Sequence, residues 1–186
     1  MRVTSCPWWF IAFGELMDKL QEPWLRATLT DVPAVQRGVL HALEMAREDI
    51  ERWCGGLTGE ELNARPAGIA PAAFHIRHIA RSLDRLLTYA EGNSLDAEQL
   101  ALLKTELDPG ATRDELFAEF ASAIEKSAGR VRGFKVTELE QARGIGRKQL
   151  PTSVGGLLVH VADHTQRHVG QAITTAKVVL AGRTQT

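Results

Sequence analysis

Residues 153–180 read SVGGLLVHVADHTQRHVGQAITTAKVVL, and this stretch decides the fold. Val154, Leu157, Leu158, Val161, Ala172, Ala176 and Val179 recur at helical spacing and form one apolar stripe. No proline interrupts the run, and Gly182 follows it as a stop signal. His160, His164 and His168 fall four apart within it, so their rings share one side of the helix. On the helical wheel His168 lies within the arc that holds Leu157 and Val161. His164 lies just beside it and Gln171 continues the strip, whereas His160 sits farther toward the polar boundary.

Three more long amphipathic segments precede this one, and no strand pattern of comparable length appears. The first spans about 32–54, with Val35, Val39, Leu43, Ala46, Ile50 and Trp53 on its stripe. Asp31 is its expected N-cap, Pro33 falls just inside, and Gly55-Gly56 ends it. The second spans about 72–90 on Ile76, Ile79, Leu83, Leu86, Leu87 and Ala90, and stops at Gly92-Asn93. The third spans about 112–131 on Leu116, Phe117, Phe120, Ile124 and Val131, with Thr112 and Glu115 as a capping box. Short helices fit the connections at 58–63, where Thr58 and Glu61 could cap, and at 95–105. Four helices of this length predict an all-α chain, a four-helix bundle with long inter-helix connections.

The chain has 186 residues, 44% of them apolar and 24% charged, which suits one domain with a sizeable core. The expected division is an N-terminal extension over 1–21, a bundle over 22–182 and a tail over 183–186. The apolar run from Trp8 to Phe13 is far short of the ~20 residues that span a bilayer. It also lacks the shape of a targeting signal, so it is read as a segment that packs on the domain or a partner. A net charge of −1 argues against a dedicated nucleic-acid surface. Two distant cysteines, Cys6 and Cys54, fit a reducing compartment and a cytoplasmic location. The connection between the third and fourth helices is basic and reads as a solvated loop. Arg143, Arg147 and Lys148 in it are candidates for a cationic rim that receives an anionic substrate.

Imidazole is a frequent ligand of transition metals, and two histidines at i, i+4 on one inward face can reach one ion. A third ligand from another helix would complete the set. The second helix offers His75 and His78. The wheel favours His75, on the flank of the apolar stripe, over His78, which lies farther round. His41 lies roughly opposite Val39 and is read as facing solvent.

The segments His78-Ile79-Ala80-Arg81-Ser82 and His164-x-x-x-His168-Val169-Gly170-Gln171 resemble the DinB/YfiT-like superfamily of metal-dependent proteins. The accompanying helical pattern covers about 25–180. The resemblance implies a four-helix bundle that binds one divalent metal through His78, His164 and His168. It sets the wheel's preference for His75 aside and leaves that residue as a neighbour or rival ligand. His160 has no metal role in the family pattern and becomes a near-site or pocket-lining residue, as does Gln171. Three neutral imidazoles leave coordination positions open, as in catalytic rather than structural sites. Each ligand ring also needs its second nitrogen held, for which Asp163, Ser82, Asp84 and Gln171 are near in sequence.

Characterised relatives include transferases and isomerases that use low-molecular-weight thiols such as bacillithiol or mycothiol. The resemblance therefore implies a transferase acting on a small-molecule substrate through a metal-activated thiol. All-imidazole ligation suits zinc, nickel, copper or iron, with zinc or nickel the leading metals. Arg143, Arg147 or Lys148 would bind the thiol's carboxylates. Neither cysteine is placed to act as nucleophile. Two other classes stand beside this one. A hydrolase would use metal-bound hydroxide with His75 or His160 as base, and a non-enzymatic stress-response protein would only bind the metal. A homodimer is implied by the resemblance, and Trp8, Trp9 and Trp24 offer apolar surface for a partner.

Overall fold

The computed structural model describes residues 21–183. The expectations for the N-terminal extension, with Trp8, Trp9 and Cys6, and for the last three residues lie outside that range. Six helices and one hairpin follow in chain order. Helix α1 is Ala34–Cys54, α2 Gly59–Asn63, α3 Ala72–Ala90, α4 Ala97–Lys104 and α5 Arg113–Gly133. Strands β1 (Ala142–Ile145) and β2 (Leu150–Ser153) then lead into α6, Val154–Gly182.

The long helices α1, α3, α5 and α6 form the bundle. Helix α6 lies between α1 and α3, and α5 closes the square by packing on α3 and α1. Each stripe read from the sequence faces this interior. Val39, Leu43, Ala46 and Ile50 from α1 meet Ile76, Ile79, Leu83 and Leu87 from α3. Leu116, Phe120 and Ile124 from α5 and Leu158, Val161, Ala172 and Ala176 from α6 complete the core. Burial of these side chains, at roughly 1.5–3 kcal/mol each, is what holds four polar-faced helices together.

The local signals at helix ends hold at several places. Thr58 accepts from the Glu61 amide and Thr112 from the Glu115 amide, and both capping boxes are complete. Asp96 and Gln99 form a third at the start of α4. Helix α3 stops where Gly92 takes φ +85°, letting the Asn93 amide reach back to the Thr88 carbonyl. Arg183, the first residue of the expected tail, ties the end of α6 to Glu61.

Three expectations are corrected. Asp31 does not cap α1: Pro33 occupies the cap position, with no side-chain bond to the first turn. The basic connection before α6 is not simply a loop but contains a two-stranded antiparallel hairpin, Ala142 opposite Ser153 through Ile145 opposite Leu150. Four-residue strands are too short to show the alternation by which strands are read from sequence. His41 does not face solvent. It is 6% exposed, because residues 21–31 fold over that side of α1 and place Thr28 Oγ1 3.1 Å from His41 Nε2. The helical wheel of α1 cannot show a cover that comes from outside the helix.

Candidate metal centre

Helices α3 and α6 pack along much of their length. His78 on α3 and His164 and His168 on α6 meet at the edge of that contact. One ring nitrogen of each lies within 4.8 Å of the others, and all three residues are half-buried. The ring centroids of His78 and His168 stand 4.3 Å apart, those of His164 and His168 4.7 Å, and those of His78 and His164 5.0 Å. His78 Nε2 is 3.3 Å from His164 Nε2. Two nitrogens bound to one tetrahedral zinc at about 2.0–2.1 Å stand about 3.4 Å apart, so this pair is already spaced for an ion.

The second ring nitrogens are also engaged. His78 Nδ1 is 2.6 Å from Glu106 Oε2, a carboxylate that can only accept from it. His164 Nδ1 is 3.4 Å from Ser82 Oγ, whose own hydroxyl donates to the Ile79 carbonyl. His168 Nδ1 is 3.0 Å from His75 Nδ1. Each Nδ1 thus has a neighbour on it, the Nε2 atoms of His78 and His164 face each other, and where Nδ1 carries the ring proton the Nε2 lone pair is left for an ion. That is the arrangement a metal requires of its histidines. The set of residues therefore fits a borderline-soft divalent ion.

Burial favours the neutral form of His164, His168 and His75. Burial first, and then the neighbouring His78 ring, pushes His164 down to about 4 and His168 to about 3. Burial likewise lowers His75 to about 4. These three rings are neutral at pH 7. Burial pushes the Glu106 carboxyl up, but hydrogen bonds from His78 and Arg85 outweigh it and hold the group below the usual carboxylate range.

The other sequence candidates take different places. His75 is buried behind His168 rather than in the group of three, with Phe74 edge-on to it at 5.0 Å. Phe74 also stacks on His78 at 5.4 Å, giving the centre an aromatic wall. His160 is exposed on the rim, its ring 5.4 Å from that of His164 and its Nδ1 3.8 Å from Asp163 Oδ2. Gln171 is exposed past His168. Asp84 is engaged by Arg130 and Gln99, away from the rings. Arg143 donates to the Ala90 carbonyl at 2.8 Å. Ala90 lies a dozen residues beyond His78 on α3, ~18 Å at the helical rise. Arg147 and Lys148, in the hairpin turn, are exposed. The structure thus places the basic connection at the other end of the bundle from the histidines.

Glu106 was not legible as a site residue, since it lies in the connection between α4 and α5. The signal that could have found it is the row Arg77, Arg81, Arg85 on α3, spaced four apart beside the histidines. A row of arginines at a helix flank calls for acceptors, and here the 102–108 segment supplies them.

The family model of the DinB superfamily matches residues 42–172, well over half the chain. The chain belongs to the DinB superfamily. All three histidines of the centre lie within the matched segment, and DinB membership and the histidine cluster together fit a metal-binding protein. A crystal structure described as the conserved protein of locus from Enterococcus faecalis is similar with a TM-score of 0.67 at 19% identity. The likeness covers 81% of this chain and 99% of that one, and at such identity it speaks for the fold alone. No curated protein matches the chain in sequence. Among the described residues, no helix is long and apolar enough to cross a membrane.

Proposed function

We propose that this DinB protein is a metal-dependent transferase that uses a low-molecular-weight thiol against a small electrophilic substrate. The observation that carries the reading is the group of three half-buried imidazoles, each with a neighbour on Nδ1 and with ring nitrogens that converge within 4.8 Å. His78, His164 and His168 would hold one divalent ion, zinc or nickel by donor type. Three protein ligands leave room for an external group. A bound ion of this kind supplies Lewis acidity, lowering the pKa of a thiol toward neutrality.

The chain's own residues do the rest. Glu106, Ser82 and His75 fix the three rings in the ligating tautomer. Phe74 walls the centre with an apolar surface, which excludes water from one side of it. Cys54 is unsuited to the nucleophile's role. It is fully buried at the end of α1, and burial pushes its thiol up to about 11. The reading therefore takes the thiol from a separate small molecule.

The test is conjugation of monochlorobimane by protein of measured metal content, with bacillithiol, mycothiol and other small thiols supplied in turn. Metal- and thiol-dependent turnover lost in His164→Ala is the expected result. Hydrolytic turnover without added thiol would transfer the reading to a hydrolase. Metal binding with no turnover under either condition would leave a metal-binding protein without this activity.

A further inference from the structure

Helix α3 carries three arginines on one flank, and all three hold the segment that follows α4. Arg77 is buried and donates to the carbonyl of Asp108 at 2.7 Å, with longer bonds to those of Thr105 and Glu106. Arg81 donates to the Leu102 carbonyl at 2.8 Å and to Thr105 Oγ1 at 2.9 Å. Arg85 meets Glu106 Oε1 at 2.6 Å. The segment has no strand or long helix of its own to fix it, so these bonds set its position.

What they position is one carboxylate. The Glu106 side chain is only 6% exposed and divides its two oxygens between Arg85 and His78 Nδ1. A carboxylate withdrawn from water in this way is costly unless both oxygens are used. Ion pairing with Arg85 alone does not require the other oxygen to face a histidine ring on the same helix. The contact with His78 aims Nε2 at His164, across the gap where the three donors converge.

We infer that Glu106, held by the Arg77–Arg81–Arg85 row, is a positioning residue for the metal centre, fixing His78 and strengthening it as a donor. A carboxylate on the far nitrogen locks the ring's orientation and tautomer and raises its basicity toward the ion. Of the three rings, His78 alone has an anionic partner. His164 rests on a hydroxyl and His168 on a neutral imidazole. The helix-α3 ligand therefore carries the strongest outer support, and it is the one ligand that no neighbour on its own helix pairs with in an i, i+4 set.

This inference rests on the metal-binding part of the function proposed above. Its test is titration of metal-free protein with Co²⁺ and Zn²⁺, read by affinity and by the Co²⁺ d–d absorption spectrum. Glu106→Gln keeps the size and an acceptor but removes the charge, and should weaken binding about 10-fold. Glu106→Ala removes both and should weaken it toward about 100-fold, with a shifted Co²⁺ spectrum. A merely structural role would lower the melting temperature of the metal-free variants while affinity and spectrum stay at wild-type values, and that result would overturn the inference. If the alanine variant does not fold, the isosteric glutamine variant decides. Wild-type protein that binds neither ion would sink the proposed function along with this inference. A wild type that binds, with both variants binding equally well, would overturn the inference alone.

Discussion

His75 Nδ1 and His168 Nδ1 lie 3.0 Å apart, the only close polar contact between a buried histidine of α3 and a half-buried one of α6 among the described residues. One hydrogen must lie between the two nitrogens, so the tautomer of one ring dictates that of the other. With the proton on His168, its Nε2 is free and His75 carries its own proton on Nε2. His75→Phe keeps an aromatic body of similar breadth but removes the acceptor. The variant should fold and bind Zn²⁺ about 10-fold more weakly, measured against a competing chelator. His168→Ala should bind more weakly still, since it removes a donor.

Metal should stabilise the whole bundle, because its ligands join α3 to α6. At a free ion concentration of 100 times Kd the gain is about 2.7 kcal/mol, or roughly 5–10 °C in Tm for a chain of this size. Chelation should reverse the shift. In His164→Ala the melting temperature should be indifferent to added metal, as scanning calorimetry with and without Zn²⁺ would show.

The segment before α1 is pinned by charge, and acid should release it. Arg26 donates to Glu48 at 2.6 and 2.7 Å and to Glu44 at 3.2 Å. The hydrogen bond from Arg26 holds the Glu48 carboxyl below its usual value of 4.5 despite burial that opposes it. A carboxyl depressed by folding contributes stability that is full above pH 4.5 and is lost as pH falls below it through the folded-state value. Hydrogen exchange at the Val32 amide, which donates to the Leu29 carbonyl at 3.0 Å, should accelerate over that acid range. At neutral pH, Glu48→Gln should speed trypsin cleavage after Arg26, with little change in global Tm because the pair is partly exposed.

Two substitutions separate packing from backbone effects. Ile79 is fully buried where α3 enters the core, so Ile79→Ala should cost about 2–5 kcal/mol and lower Tm by roughly 10 °C. Gly92 stands at φ +85°, and a Cβ there would meet the Arg143 guanidinium at an ordinary 3.6 Å. Gly92→Ala should therefore cost only the backbone's left-handed penalty, about 1–2 kcal/mol, in a urea unfolding curve with unchanged slope.

Much of this is legible in the sequence alone. The stripes on α1, α3, α5 and α6 are long enough for the helical period to stand out, and the capping boxes at Thr58 and Thr112 mark starts by chemistry local to four residues. The hairpin at 142–153 was not legible, since its strands are four residues each and its turn depends on the positive φ of Gly146 and Gln149. His75 looked the better metal ligand on the wheel because a wheel ranks residues by closeness to the apolar stripe. The histidines converge instead at the margin of the α3–α6 contact, where the residue farther round, His78, reaches the gap.

By itself the sequence determined the helices, their inward faces and the histidine-bearing stripe, because each of these is a periodic property of one continuous segment. Tertiary structure alone decided which ring of α3 faces His164, that Thr28 buries His41, and that Glu106 from a distant connection takes hold of His78. Those relationships depend on the rotation and offset of one element against another. Packing of the whole core sets such quantities, and no local run of residues encodes them.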